Sequence, residues 1–263
     1  MTKQSRLIRA AKAVFAPMMG GLTLYITWTF LALHINNPVL MPSPNIVLSA
    51  LVDILADDLI LDIAASLKHL GLGMGIGVFL GLGLAFLATS FEPAGLLIDP
   101  AVELLRPISG IAWIPLAIMM FGVGETVPIF LIAYVSIFPI YVNTVTGIKG
   151  VDARLINAAH VLGARPGLIR RSVILPAALP MILTGFRLSL GVAWMTLIGA
   201  ELIGGSSGLG WRAFWYEQFF AMNKNLAVIL VVGVLGFTFD ALIRIAQFRL
   251  MRWSPSAAQE AGQ

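Results

Sequence analysis

Long stretches without a charged side chain constrain this sequence more than any other feature. Residues 69–91 and 126–148 contain no Asp, Glu, Lys or Arg. About 20 mainly apolar residues are enough for a helix to cross the hydrocarbon core of a membrane. Only 11% of the residues are charged and 59% are hydrophobic, whereas roughly a quarter of a typical soluble domain is charged. The pattern predicts an all-α integral membrane protein.

About six helices are predicted to span the membrane. They lie near residues 14–35, 66–89, 107–122, 126–148, 181–203 and 225–247. Pro115 interrupts the short third span, and such breaks are tolerated where neighbouring helices or a water-lined path satisfy the freed backbone groups. We expect the first span to be retained rather than removed as a signal peptide, because no clear small-residue cleavage site follows it.

The positions of the basic residues predict the orientation of these spans. If both termini face the cytoplasm, Arg106 and most other basic residues lie on the inner side, where Lys and Arg are normally enriched. Of the 17 Lys and Arg residues, the exceptions are Lys68, Arg212 and Lys224. The first outer loop is acidic and contains Asp53, Asp57, Asp58 and Asp62. We therefore predict an N-in, C-in topology.

The predicted transmembrane domain covers residues 14–253, between a basic cytoplasmic N-terminus (1–13) and a disordered tail (254–263). Within it, residues 149–180 form a long basic segment between the fourth and fifth spans, which we name the inner loop. Its apolar residues recur at helical spacing, and they are Leu155, Ala158, Ala159 and Leu162. Gly163 stands where this helix would stop, and a second short helix is predicted from Pro166 to about Val173, closed by Leu175-Pro176. Such a loop is typical of a docking surface for a soluble partner.

The inner loop also carries a recognisable motif. Asn157-Ala158-Ala159 is followed, after three intervening residues, by Gly163 and then by Leu175-Pro176. This spacing resembles the EAA loop of bacterial binding-protein-dependent ABC-importer permeases. Segments outside the loop are similar to the nitrate/sulfonate/taurine branch of that family, and they include 107–116, 121–125, 184–187, 200–202 and 208–210. Asn157 departs from the family, which often has Glu at this position.

The resemblance implies a MetI-like, type I ABC permease bundle in the bacterial inner (plasma) membrane. It implies a homodimer of permeases, two ATPase subunits and a periplasmic solute-binding protein that delivers a small anion such as an alkanesulfonate, taurine or nitrate. Segment 151–176 would couple the permease to the ATPase. The coupling residues would be Arg154, Asn157, Ala158, Ala159, His160, Gly163 and Ala164.

No cofactor is expected in this chain, so ATP and Mg would be bound by the partner ATPase. The sequence contains no GxxxxGK[ST] motif. Gly73, Gly77 and Gly81 fall at four-residue spacing inside an apolar span, which favours close helix packing over phosphate binding. Cysteine is absent, and no metal-ligand spacing joins the histidines His34, His69 and His160. We expect no metal site.

Polar residues inside the spans are candidates for the translocation path, although hydrogen bonding between helices also explains them. The candidates are Asn143, Thr144, Arg187, Trp194, Thr196 and Glu201. Arg187 either binds a passing anion, extends to the inner surface or pairs with Asp240, which is itself spaced to pair with Arg244. Glu201 has no identifiable partner in the sequence, and we expect it to have a structural or gating role.

Two other functional classes compete with the importer hypothesis. A gradient-driven secondary transporter or channel subunit is the alternative, but such carriers commonly show inverted repeats, which we do not find in this sequence. An intramembrane enzyme would need a catalytic constellation, and the sequence offers none. We therefore predict a transport subunit rather than an enzyme.

Overall fold

The computed structural model describes residues 3–56 and 59–250, and these residues fold as helices joined by short turns. The helices are α1 (Lys3–Ile35), α2 (Pro44–Ala56), α3 (Leu59–Ser90), α4 (Glu92–Leu105), α5 (Ile114–Phe121), α6 (Thr126–Lys149), α7 (Ala153–Val161), α8 (Pro166–Ile169), α9 (Leu175–Gly204), α10 (Leu209–Gln218) and α11 (Met222–Leu250). A helix satisfies its own backbone groups, as a lipid environment requires. The predicted all-α fold class is confirmed.

Within the described residues, four helical segments are long and apolar enough to cross a membrane. They are Leu59–Ser90, Thr126–Lys149, Pro166–Gly204 and Met222–Gln247. Glu92–Leu105 and Gly110–Phe121 form a bent pair that would make a fifth span. The predicted first span, 14–35, lies within α1, in which Met19–Ile35 is apolar. The predicted tail, 254–263, lies outside the described residues.

The predicted third span, 107–122, covers only the second half of this bent pair. The structure places a full helix, α4, before it, and the two halves of the broken span meet at 90°. Acidic residues, including Asp99 and Glu103, interrupt the apolar pattern of α4. The sequence of this segment therefore does not predict a membrane-spanning helix. The break falls at Pro107, because proline lacks the backbone N–H that would continue the helical hydrogen bonds beyond Arg106.

Two compact units make up the fold. The smaller unit contains α1, α2 and residues 213–230. Within it, the Trp28 indole donates a hydrogen bond to the Pro42 carbonyl at 3.1 Å. The larger unit contains, of the described residues, 61–212 and 231–250. Here α6 is the central helix, and its buried side chains pack against α3, α4, α5 and α9.

The glycine stripe of α3 lies directly against α6. A Cβ atom added to Gly77 would lie 2.5 Å from Ser136 Cβ, and one added to Gly73 would lie 2.6 Å from Ile132 Cβ. Gly81 meets Ile140 in the same way, at 3.0 Å. The two backbones therefore approach closely only because these side chains are missing. The prediction that the stripe serves helix packing is confirmed.

Candidate functional site

The first helix of the inner loop, α7, is defined at both ends by residues that the sequence marked. At its start, the Asp152 carboxylate accepts a hydrogen bond from the Arg154 backbone N–H at 2.8 Å, which satisfies a donor that the helix leaves free. At its end, Gly163 has a φ of +77°, a left-handed conformation that glycine adopts without strain. The predicted helix and its stop are confirmed.

The surface of α7 is unusual because it contributes no buried residue to the fold. The coupling candidates Arg154, Asn157 and His160 are exposed, and Ala159 is half-buried. The large apolar side chains beside them are also exposed, with Val161 at 87% and Leu162 at 85%. Burying one such side chain is worth about 1.5–3 kcal/mol. An exposed apolar surface of this kind marks an interaction site.

The sequence predicted that the second short helix of the inner loop is closed by Leu175-Pro176. In the structure the helix continues past these residues. A π-helical turn, Arg170–Ile174, joins α8 to α9, and Pro166–Gly204 behaves as one helical segment of 39 residues. Pro176 lies in the first turn of α9, where its missing N–H costs little, while the π turn absorbs the mismatch in hydrogen bonding. The inner loop is therefore continuous with a membrane span.

Among the path candidates, Arg187 is ion-paired. Its Nε donates to Asp240 Oδ1 at 3.0 Å, and the other carboxylate oxygen accepts from Arg244 at 2.7 Å. Both predicted pairings are confirmed. The cavity beside this cluster, which Trp194 and Gly236 also line, measures only about 120 Å³. The arrangement joins α9 to α11 through a shared carboxylate.

The other path candidates on α6 and α9 have different surroundings. Trp194 packs against Phe239 with their ring centroids 5.2 Å apart. Asn143 donates a hydrogen bond to the Pro139 carbonyl within α6 at 2.8 Å. Thr144 is buried, and its hydroxyl has no partner among the described residues. Thr196 lines a cavity between α6 and α9. Their role in translocation stays a prediction.

Glu201 is fully buried and is the centre of a cluster that the sequence did not reveal. Its carboxylate accepts hydrogen bonds from the Ser66 hydroxyl at 2.8 Å and from the Gly210 backbone N–H at 2.9 Å. His69 Nδ1 lies 2.8 Å from the same carboxylate and is also fully buried. These residues are far apart in the sequence. The only available signal was that an ionisable residue within a span must find a partner.

The same cluster fixes the turn after α9 together with the first turn of α10, residues 205–212, which we name the outer turn. The Leu209 backbone N–H donates to Ser66 at 2.8 Å, and the Gly208 N–H donates to Asp62 at 3.3 Å. Asp62 also pairs with Arg212 and is 5% exposed. The sequence had placed Asp62 in an exposed outer loop, and the structure corrects this, because the residue lies within α3 and points at the outer turn.

The comparisons with known proteins agree with this geometry. Residues 73–252 match the family model described as the inner membrane component of binding-protein-dependent transport systems, which is well over half of the chain. The chain belongs to this permease family. The permease is 40% identical over 225 residues to the aliphatic sulfonates transport permease protein SsuC of Bacillus subtilis, covering 85% of this chain and 82% of that protein.

Two further similarities extend the comparison. The permease is 37% identical over 246 residues to the taurine transport system permease protein TauC of Escherichia coli, covering 89% of this chain and 88% of that protein. Among solved structures, a chain of an amino acid ABC transporter aligns with a TM-score of 0.62 and 24% identity, over 73% of this chain and 93% of that chain. At this identity the structural match shows the fold alone.

Family membership decides between the functional classes that the sequence left open. The chain is the membrane-spanning permease subunit of an ABC importer in the inner membrane. The alternative of a gradient-driven carrier or channel is therefore wrong. The permease is a transport subunit, in agreement with the sequence-based prediction.

Proposed function

We propose that this permease imports small organic sulfonates, using ATP that a separate subunit hydrolyses. Two copies of the chain form the translocation path, two ATPase subunits bind at the inner face, and a periplasmic binding protein delivers the substrate. ATP and Mg belong to the ATPase, since the permease has no phosphate-binding motif. The support for sulfonate as substrate comes from the relatives, whose names specify aliphatic sulfonates and taurine.

The exposed surface of α7 is the observation that carries the coupling proposal. A helix that buries nothing in its own chain, yet presents Val161 and Leu162 almost fully to solvent, gains stability only when a partner covers it. We assign this partner as the ATPase, which contacts segment 151–176. Because Asn157 is exposed and uncharged, this contact rests on apolar side chains and close backbone approach rather than on a carboxylate at this position.

The proposal is tested by reconstituting the permease in vesicles with its ATPase and binding protein. The permease alone should show neither ATP hydrolysis nor uphill uptake of radiolabelled ethanesulfonate. Both activities should appear once the two partners and ATP are added. Uphill uptake driven by a proton or sodium gradient without ATP would overturn the proposal.

The coupling surface is tested by Leu162→Asp, which places a charge in the centre of the apolar surface. Leu40 is also well exposed, at 64%, but precedes α2 on the predicted outer side, so Leu40→Asp is the matched control. We expect Leu162→Asp to weaken co-purification of the ATPase by about 30-fold or more, as loss of a central interface side chain does. The control should keep full association. Equal behaviour of the two variants would refute the coupling assignment.

A further inference from the structure

A cavity of about 450 Å³ lies between α6, α9 and the segment that joins the two halves of the broken span. This volume is in the range of sites that bind small organic molecules, roughly 300–1,000 Å³. Its polar lining residues are Arg106, Ser109 and Thr196. The rest of the lining is mostly apolar and includes Ile111, Val135, Phe138, Val192 and Met195.

The depth of this cavity follows from one hydrogen bond. The Tyr134 hydroxyl donates to the Leu105 carbonyl at 2.9 Å, which fixes the end of α4 beside the middle of α6. At 1.5 Å per residue, Tyr134 lies roughly 12 Å from Thr126 at one end of α6 and roughly 22 Å from Lys149 at the other. Arg106, the next residue after Leu105, therefore lies beside α6 about a third of the way along that helix rather than at either end. This corrects the topology count, which had placed Arg106 at the inner surface.

Arg106 makes no ion pair in the described part of the chain, unlike Arg187 and Lys149. Arg187 shares Asp240, and Lys149 lies 3.4 Å from Asp99. The cavity around Lys149 is also lined by Glu103, which makes it unfavourable for an anion. An ionisable residue at membrane depth is functional by default when no partner neutralises it.

We infer that this cavity binds the substrate within the membrane-spanning domain, with Arg106 contacting the sulfonate group and the apolar wall contacting the alkyl chain. A guanidinium donates paired hydrogen bonds to oxyanions in a fixed planar geometry. Ser109 and Thr196 add two hydroxyl groups that can donate to the remaining sulfonate oxygens. Phe138 and Met195 form part of the surface against the chain. This inference rests on the proposed function, and it assigns the charge contact to Arg106 rather than Arg187.

The anion preference of the cavity is testable without any transport measurement, because the chain contains no cysteine. Met195 lines the cavity and is 77% exposed, so Met195→Cys provides a single thiol there. The assembled transporter carrying this substitution is treated with the 2-sulfonatoethyl and the 2-trimethylammonioethyl methanethiosulfonates, which differ in charge. Leu40→Cys, at an exposed position (64%) away from the proposed ATPase contact, is the control thiol.

We expect Arg106→Gln to lower the ratio of anionic to cationic labelling at Met195→Cys by about 10-fold or more, since a charge-assisted contact is worth this factor. The ratio at Leu40→Cys should not change. Ethanesulfonate at millimolar concentration should slow labelling of Met195→Cys while Arg106 is intact. An unchanged ratio together with no protection by ethanesulfonate would overturn the site.

Uptake measurements separate this inference from the proposed function. If the unmodified transporter fails to import ethanesulfonate with ATP, the proposed function is wrong. If it imports ethanesulfonate and Arg106→Gln imports it equally well, the site is wrong while the function stands. We expect Arg106→Gln to reduce uptake by about 10- to 100-fold. Arg106→Lys keeps the charge but not the planar geometry, so its uptake should lie between that of Arg106→Gln and that of the unmodified transporter. Should Arg106→Gln fail to assemble, the ethanesulfonate protection test with native Arg106 decides.

Discussion

The outer turn and the inner loop are built on opposite principles, although both adjoin α9. The outer turn is held by a buried cluster in which Glu201 and Ser66 are fully buried and Asp62 nearly so. In the inner loop, α7 buries no residue, and its polar contacts are local, such as the bond from Arg154 to Asp152. The polar groups of the outer turn find their partners within the chain, whereas the surface of α7 stays exposed.

This difference indicates where the permease depends on a partner. A buried polar cluster is specific and costly to disturb, because each group left without a partner pays its full desolvation cost. An exposed helix with local caps can change its surroundings without affecting the core. Substitutions at the outer turn should therefore reduce stability, whereas those in the inner loop should reduce association with the ATPase.

The largest effect is expected at the outer turn. Glu201→Ala leaves the Ser66 hydroxyl, His69 and the Gly210 N–H without their acceptor, and should lower the free energy of unfolding by about 3–5 kcal/mol. Glu125→Ala is the matched control, since Glu125 pairs with Lys68 at 2.6 Å but is half exposed, and such pairs contribute about 0–1 kcal/mol. Unfolding of the purified permease in mixed detergent and dodecyl sulfate measures both. Equal losses would contradict the contrast between buried and exposed polar groups.

The next largest effect is expected where α3 packs against α6. Gly77→Ala places a Cβ 2.5 Å from Ser136 Cβ, whereas Gly75→Ala on the same helix meets nothing within 4 Å. Both substitutions gain the same helix propensity, so their difference isolates the packing between α3 and α6. We expect Gly77→Ala to be less stable than Gly75→Ala by about 1–3 kcal/mol. Unfolding midpoints that coincide would show that α3 and α6 can separate without cost.

A smaller effect on stability, but a larger one on association, is expected in the inner loop. Gly163 and Gly167 both have open space where a Cβ would lie, but only Gly163 has a positive φ. Gly163→Ala should cost about 1–2 kcal/mol locally and weaken binding of the ATPase, while Gly167→Ala should leave both unchanged. Pull-down of the ATPase, with permease unfolding as a parallel measurement, distinguishes them. Normal binding by Gly163→Ala would mean that association with the ATPase does not depend on the backbone conformation at Gly163.

The smallest effect is a pH dependence at the exposed Lys68–Glu125 pair. The Lys68 hydrogen bond and charge hold the pKa of the Glu125 carboxyl below its usual value. A lowered pKa in the folded state stabilises the protein above the unfolded pKa, and this contribution disappears as the pH falls through the folded value. We expect a loss of at most about 1 kcal/mol between pH 6 and pH 3, because solvent screens the pair. Lys68→Gln should remove this component, and an identical pH profile in that variant would argue against it.

Features with a local sequence signature were predictable. The spacing of Gly73, Gly77 and Gly81 predicted close packing, and it is confirmed by their contacts with α6. Gly163 predicted the end of α7, and its φ of +77° agrees. Both predictions depend only on helical periodicity and on the conformations available to glycine, which neighbouring residues largely determine.

The features that sequence could not supply depend on distant parts of the chain. His69 and Glu201 are separated by 132 residues, so nothing in their local sequence indicates that they meet. The depth of Arg106 depends on a 90° bend and on a hydrogen bond from another helix. The wrong helix end at Pro176 has a different cause. A proline favours the end of a helix, but it is also readily accommodated in the first turn of a helix.

The unbroken course from Pro166 to Gly204 has a mechanical consequence. A helix of 39 residues is roughly 58 Å long, nearly twice the hydrocarbon thickness of about 30 Å. If a helix of this length tilts by about 5° about one end, its other end moves by roughly 5 Å. If the segment moves as one body, a displacement at its cytoplasmic end also displaces the end that carries Glu201, with no relay of side chains needed between the two faces of the membrane.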